Sequence, residues 1–268
     1  MLTIEQKQTF FEKGYLLLPG TIGEAAAGFE DFVWSCLAET QGIRRDDPAT
    51  WNVDAPWAGL KNYKEAEILQ AIGSPQLCAA IDDLIGPETW NKPRNWGGFL
   101  VDFPNTAPED WYIPNGGWHV DFHYTHDPEV QFGIRVFTFL SEVEPRGGGT
   151  LVVAGAHRAV ANYVRGLSEA ERTAKYAKVQ DRFLASDPWL RRLSQEDKHS
   201  PGRIEALMED GGMVGDVPVR VEQFCGRPGD VVLMHPWLLH VRSPHSGRGP
   251  RFMLAKGIYT HASRLQTV

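Results

Sequence analysis

The spacing of apolar and polar positions divides the chain into a helical first third and a β-rich remainder interrupted by a second helical stretch. Thr3 followed by Gln6 is the reciprocal capping pattern that opens a helix. That helix carries Ile4, Phe10 and Phe11 and stops at Gly14, and Tyr15-Leu16-Leu17-Leu18 predicts a short strand ended by Pro19-Gly20. Ile22, Ala25, Phe29, Phe32, Val33, Cys36 and Leu37 recur at helical spacing. Residues 43–62 are rich in Pro, Asp, Trp and Asn and read as a loop, and a further helix is predicted over 75–85, with Gly86 as its stop. From about residue 95 the period becomes that of strands, over 96–103, 118–124, 131–141 and 150–153. Gly147-Gly148-Gly149 makes a turn, and Ala154-Gly155-Ala156-His157-Arg158 a tight bend.

Between 158 and 212 the helical period returns. Ser168 and Glu171 form a second capping pattern, and Asp187-Pro188 starts a short helix through Leu193. Strands resume at 217–221, 230–234, 237–242 and 251–259. Strands separated by one helical excursion predict a single mainly-β domain over 1–268, with flanking helices and an inserted lid at 158–212.

Composition narrows the function classes. The 268 residues are 42% hydrophobic, with nine Trp and thirteen Phe, enough for a sizeable core. A net charge of −7 argues against a nucleic-acid partner, which favours a basic face. Cys36, Cys78 and Cys225 are odd in number and far apart, which suits a reducing compartment rather than a disulfide framework. The first residues lack an apolar signal core and no run approaches 18 apolar residues, so the sequence predicts a soluble cytoplasmic protein with no membrane partner.

The candidate chemistry lies in Trp118-His119-Val120-Asp121-Phe122-His123-Tyr124. On a strand, residues two apart share a face, so His119, Asp121 and His123 project together. A neutral imidazole beside a carboxylate is most of a two-histidine, one-carboxylate iron site. Gly229-Asp230 opens a later strand segment that runs to His240, and Arg251 follows eleven residues on, across a Pro- and Gly-bearing turn. His240 and Arg251 can then face one cavity. An arginine's planar fork suits a carboxylate, so an iron site beside it fits a dicarboxylic keto-acid.

Here the chain resembles the phytanoyl-CoA dioxygenase family of Fe(II)- and 2-oxoglutarate-dependent oxygenases. Four stretches carry the resemblance: Leu2-Thr3 through Gly14-Tyr15 to Pro19-Gly20; His119-Val120-Asp121; the glycine turn with Val152 to Arg158, close to the family's "PGSHR" bend; and Gly229-Asp230 to His240 to Arg251. The resemblance implies a double-stranded β-helix (jelly-roll) core. It implies Fe(II) on His119, Asp121 and His240, 2-oxoglutarate paired with Arg251, and O2 as the second co-substrate. The implied reaction converts 2-oxoglutarate to succinate and carbon dioxide while hydroxylating a small organic molecule. Arg242 stands where many relatives carry a Ser or Thr that helps hold the co-substrate, and Ser243 follows it; the bend lacks the usual Pro and Ser. Asp121 speaks against a halogenase, which has Gly or Ala there.

Several further residues carry expectations. His123 is a candidate substrate contact, and Thr138 and Ser243 are candidate co-substrate contacts. Arg248 is the weaker rival of Arg251 because it sits in the Gly-rich turn. His126, Asp127, His199, His245 and His261 read as surface positions, His235 as structural, and His157 as a backbone-bonded bend residue. Trp51, Trp57, Tyr63, Trp111 and Tyr112 could line a substrate mouth or serve only in packing. Two other readings stand beside the oxygenase: a cupin-type metalloenzyme that does not use 2-oxoglutarate, and a catalytically silent relative that only binds a ligand.

Overall fold

Two antiparallel sheets form the centre of the computed structural model, which describes residues 1–264. The larger sheet has the order β1 (Tyr15–Leu18), β7 (Val231–Met234), β3 (Gly133–Phe139), β9 (Arg251–Tyr259), β2 (Gly98–Asp102). The smaller has the order β5 (Gly212–Val214), β6 (Val217–Gln223), β4 (Leu151–Ala154), β8 (His240–Val241). Side chains meet between them: the Phe137 and Phe224 rings lie 5.6 Å apart and Tyr15 and Phe224 5.0 Å. This is the predicted jelly-roll arrangement.

The period of two decides which core each residue joins. On β3, Phe137 and Phe139 pack between the sheets, whereas Ile134 and Val136 belong to the cluster beneath the N-terminal layer. That layer comprises α1 (Ile4–Lys13), α2 (Phe29–Gln41), α3 (Glu67–Gln70) and α4 (Pro75–Ile85). Phe29, Val33, Leu77 and Ile81 share their cluster with Leu233, Phe252 and Leu254 of the larger sheet. The second helical stretch holds α5 (Ala156–Arg165), α6 (Glu169–Arg172), α7 (Tyr176–Ala185), α8 (Pro188–Gln195) and a π-helical turn, Glu205–Asp210. It covers the smaller sheet, with Val160, Phe183, Leu190 and Leu207 in the same cluster as Val153 and Val221.

Local signals were accurate where they were chemical. The Thr3–Gln6 and Ser168–Glu171 capping boxes both form, and Ser74 and Asp187 cap α4 and α8. Gly14 ends α1 at φ 81°, and a Cβ there would lie 2.4 Å from His157 Nδ1. The helix expected from Ile22 is broken: a 3-10 turn, Gly23–Gly28, precedes α2, because Gly28 weakens the helix at the join.

Three expectations change. Residues 118–124 do not form a regular strand; a single bridge pairs His119 with His240, and Asp121 N–H donates to Pro236 C=O at 3.0 Å. Of the strand predicted over 237–242, only His240–Val241 is regular. The bend at 154–158 is the start of α5: Gly155, at φ 86°, turns the chain so closely that a Cβ would lie 2.3 Å from Pro218 O.

Candidate active site

The bridge between His119 and His240 brings two distant stretches into register, with their backbones exchanging hydrogen bonds of 3.0 and 2.9 Å. The imidazole rings sit 4.2 Å apart, centre to centre. His119, Asp121 and His240 each offer one ligand atom, and these atoms lie within 4.8 Å of one another. His119 Nδ1 is 2.9 Å from Gly117 O, and His240 Nδ1 is 2.9 Å from Leu238 O. A carbonyl can only accept, so each Nδ1 carries the proton and each Nε2 keeps its lone pair. Burial lowers the His240 pKa to about 4 against the opposing pull of Asp121, which keeps the ring neutral at ordinary pH.

Asp121 shows what the cluster lacks. Its buried Oδ2 accepts no hydrogen bond, although His240 Nε2 is 3.6 Å away and Arg135 Nε 2.9 Å away. The arginine is close enough for charge attraction, but its N–H does not point at the oxygen. A buried carboxylate oxygen facing two imidazole lone pairs fits a divalent cation. His123 has left this face: it is exposed, its ring is edge-on to Tyr176, and its carbonyl accepts from Trp237 Nε1.

Arg251 lies at the start of β9, cross-strand from Asp102 of β2. Its guanidinium is buried, donates from Nη1 to Gly148 O at 2.8 Å, and leaves Nε without a partner. No carboxylate among the described residues forms an ion pair with it, and burial lowers its pKa to about 10. A buried cation with unused donors fits a carboxylate ligand. Asp102 turns instead to Arg242, whose Nε lies 3.1 Å from Oδ2 while Nη2 bonds Oδ1. Arg242, two residues from His240, is therefore held by a carboxylate of its own.

Of the two further expected co-substrate contacts, Thr138 lies away from the space between the sheets. Thr138 shares its face with Ile134 and Val136 and is wholly buried with its hydroxyl unpartnered, on the side of the N-terminal layer. Ser243, beyond the end of β8, donates to Pro244 O at 2.6 Å and accepts from Gln223 Nε2 at 3.0 Å, which also donates to Gly149 O. Arg248 is exposed in the loop, beside a cleft of about 720 Å³ that Trp51 and Trp57 also line. The aromatic set is divided: Trp51 stacks on Phe103, whereas Trp111 is buried and donates to Pro244 O.

Two other histidines depart from expectation, and four do not. His126 is buried against Phe132, 4.5 Å between ring centres. His245 is buried because its loop folds back over the glycine turn, where a Cβ on Gly148 would touch the ring at 2.8 Å. His199 and His261 are exposed, His157 Nε2 bonds Phe11 O at 3.1 Å, and His235 accepts from Trp237 N–H. Burial lowers the pKa of both His157 and His245 to about 4. The unfolded chain binds protons near pH 6.5 that these folded rings refuse, so stability is fully present above about 6.5 and falls as pH drops towards 4. Acidification from pH 7 to 5 is expected to cost on the order of 1 kcal/mol per ring, read by urea titration; His245→Asn should flatten part of that slope.

Long-range supports of the ligand segment escaped sequence reasoning, because no local pattern encodes them. Tyr176 of α7 donates to Val120 O at 2.6 Å and accepts from Val120 N–H at 3.1 Å. Gln180 Nε2 donates to Trp118 O at 3.2 Å, and the buried Arg203 donates to Ile113 O. The helical stretch thus braces the backbone on both sides of His119 and beside Asp121. Tyr176→Phe is expected to weaken Mn(II) binding about 10–100-fold in calorimetry with an unchanged circular dichroism spectrum. Arg135, which touches Asp121, carries no local signal either, being one inward position among hydrophobic ones.

A jelly roll holding two histidines and a carboxylate around a common point, with a buried arginine further along, defines a non-haem iron enzyme of the 2-oxoglutarate-dependent class. Residues 12–253 match the family described as phytanoyl-CoA dioxygenase (PhyH), and the chain belongs to that family. It is accordingly an Fe(II)- and 2-oxoglutarate-dependent enzyme of a family that acts on small molecules. Similar solved structures include HygX from Streptomyces hygroscopicus with nickel and 2-oxoglutarate bound, at 16% identity and a TM-score of 0.53, covering 97% of this chain and 88% of that one. The 2-oxoglutarate-dependent carbocyclase SnoK from nogalamycin biosynthesis is similar at 16% identity and a TM-score of 0.52, covering 100% and 91%. The non-haem monooxygenase ThoJ is similar at 14% identity and a TM-score of 0.51, covering 95% and 77%. At these identities the likeness is one of fold. No curated protein matches the chain by sequence. No helix among the described residues is long and apolar enough to cross a membrane.

Proposed function

We propose that the protein hydroxylates a small organic molecule, with His119, Asp121 and His240 as its iron ligands and Arg251 as the anchor of 2-oxoglutarate. The observation that carries this reading is the convergence of three donor atoms within 4.8 Å, both imidazoles having Nδ1 turned to a carbonyl and Asp121 Oδ2 unbonded. Bound there, iron supplies oxidative decarboxylation of 2-oxoglutarate and oxidation of a C–H bond.

The chain's own residues position and exclude. Leu238 and Gly117 fix the imidazole tautomers. Arg251 pairs with the distal carboxylate of the co-substrate and sets its direction along the barrel. Phe137, Phe139 and Met253 make the interior apolar and keep water from it. Arg242 is occupied by Asp102, which leaves Arg251 as the free fork for the dicarboxylate.

Two other readings make different predictions. A cupin-type enzyme without 2-oxoglutarate gives no role to Arg251, and a silent binder consumes no oxygen. Aerobic incubation with Fe(II) and 2-oxoglutarate is expected to release succinate, faster with a true substrate in a small-molecule screen. No succinate with any supplement, despite bound iron, would overturn the proposal.

A further inference from the structure

Arg135 is a cation that the ligand set does not need. It projects from β3 between the sheets, its Nε 2.9 Å from Asp121 Oδ2, and its guanidinium carbon is 5.8 Å from the centre of the Phe137 ring. The Tyr259 phenol lies beside it, and the Arg135 side chain remains 28% exposed. Asp121 is the one carboxylate paired with it among the described residues, and Arg135 Nε makes no hydrogen bond.

Charge counting shows the consequence. A divalent metal on Asp121 is neutralised by that carboxylate together with the near carboxylate of 2-oxoglutarate, while the far carboxylate meets Arg251. Asp121 can no longer balance Arg135 once it serves the metal. One positive charge is left over beside the Phe137 ring between the sheets, where uncompensated charge is costly. One fork and one surplus charge match a single carboxylate; a phosphate dianion would call for a second cation.

We infer that Arg135 is the substrate-binding arginine and that the substrate is a small organic acid whose lone carboxylate docks on it, placing a nearby C–H bond over the metal. This rests on the iron and 2-oxoglutarate reading above. Tyr259 flanks the same fork as a hydrogen-bonding neighbour, and Phe137 supports its face.

Nuclear magnetic resonance of the arginine Nε–H groups tests this on the full chain loaded with Zn(II) and 2-oxoglutarate, with acetate as the probe and acetamide as its neutral match. The Arg135 signal is identified by its loss in Arg135→Lys. It is expected to shift saturably with millimolar acetate and not with acetamide. No shift up to about 50 mM acetate, or equal shifts with both probes, would overturn the inference. So would a tenfold weakening of 2-oxoglutarate binding in Arg135→Gln, which would make Arg135 a co-substrate residue. A tenfold loss of Mn(II) affinity in that variant would do the same, reducing Arg135 to a positioning residue for Asp121. Failure of the wild type to bind Zn(II) or Mn(II) would instead strike the underlying metal reading, so the two failures are separable.

Discussion

His240→Ala is expected to reduce 2-oxoglutarate-dependent succinate formation by on the order of 10³-fold or more, because the three ligands act as one unit. The imidazole is buried, on a residue whose backbone bridges the two ligand-bearing stretches, so its loss removes a donor that neither His123 nor His235 can replace. His123 has turned to Tyr176, and His235 receives a hydrogen bond from Trp237 at the other side of the turn. Metal affinity by calorimetry should fall with the activity, while the circular dichroism spectrum is retained. A variant that turns over near the wild-type rate would remove His240 from the ligand set.

Arg251→Ala is expected to act on the co-substrate and not on the metal. Truncating one partner of a buried charge pair costs about 2–5 kcal/mol, so the dissociation constant for 2-oxoglutarate should rise by about 30-fold to several thousand-fold. Mn(II) affinity in the absence of 2-oxoglutarate should stay within about twofold of wild type. Arg251→Lys keeps the charge but loses the fork, and should fall between the two. Unchanged 2-oxoglutarate affinity in Arg251→Ala would assign the anchor elsewhere, with Arg242 released from Asp102 as the next candidate.

What could be read from the sequence follows the range of the interactions. Capping at Thr3, Ser168 and Asp187 depends on residues a few positions apart, and each of these caps forms as read. The pairing of His119, Asp121 and His240 was readable from residue types and their resemblance to a family, even though the segment is not the strand its alternation suggested. A single bridge and one hydrogen bond to Pro236 are enough to hold two inward positions, and the alternation fails at His123 where those bonds stop. Thr138 was misplaced by one face, because the period of two does not say which face is the cavity. His245, Arg135 and Tyr176 depend on contacts with residues well outside their own elements, which no local spacing records.

The most direct measurement is an anaerobic titration of the purified protein with Fe(II), followed by 2-oxoglutarate. Binding of one iron per chain is predicted, with 2-oxoglutarate affinity that depends on the metal and is lost in His240→Ala. A protein that binds neither Fe(II) nor 2-oxoglutarate would contradict the assignment of His119, Asp121 and His240 as an iron centre.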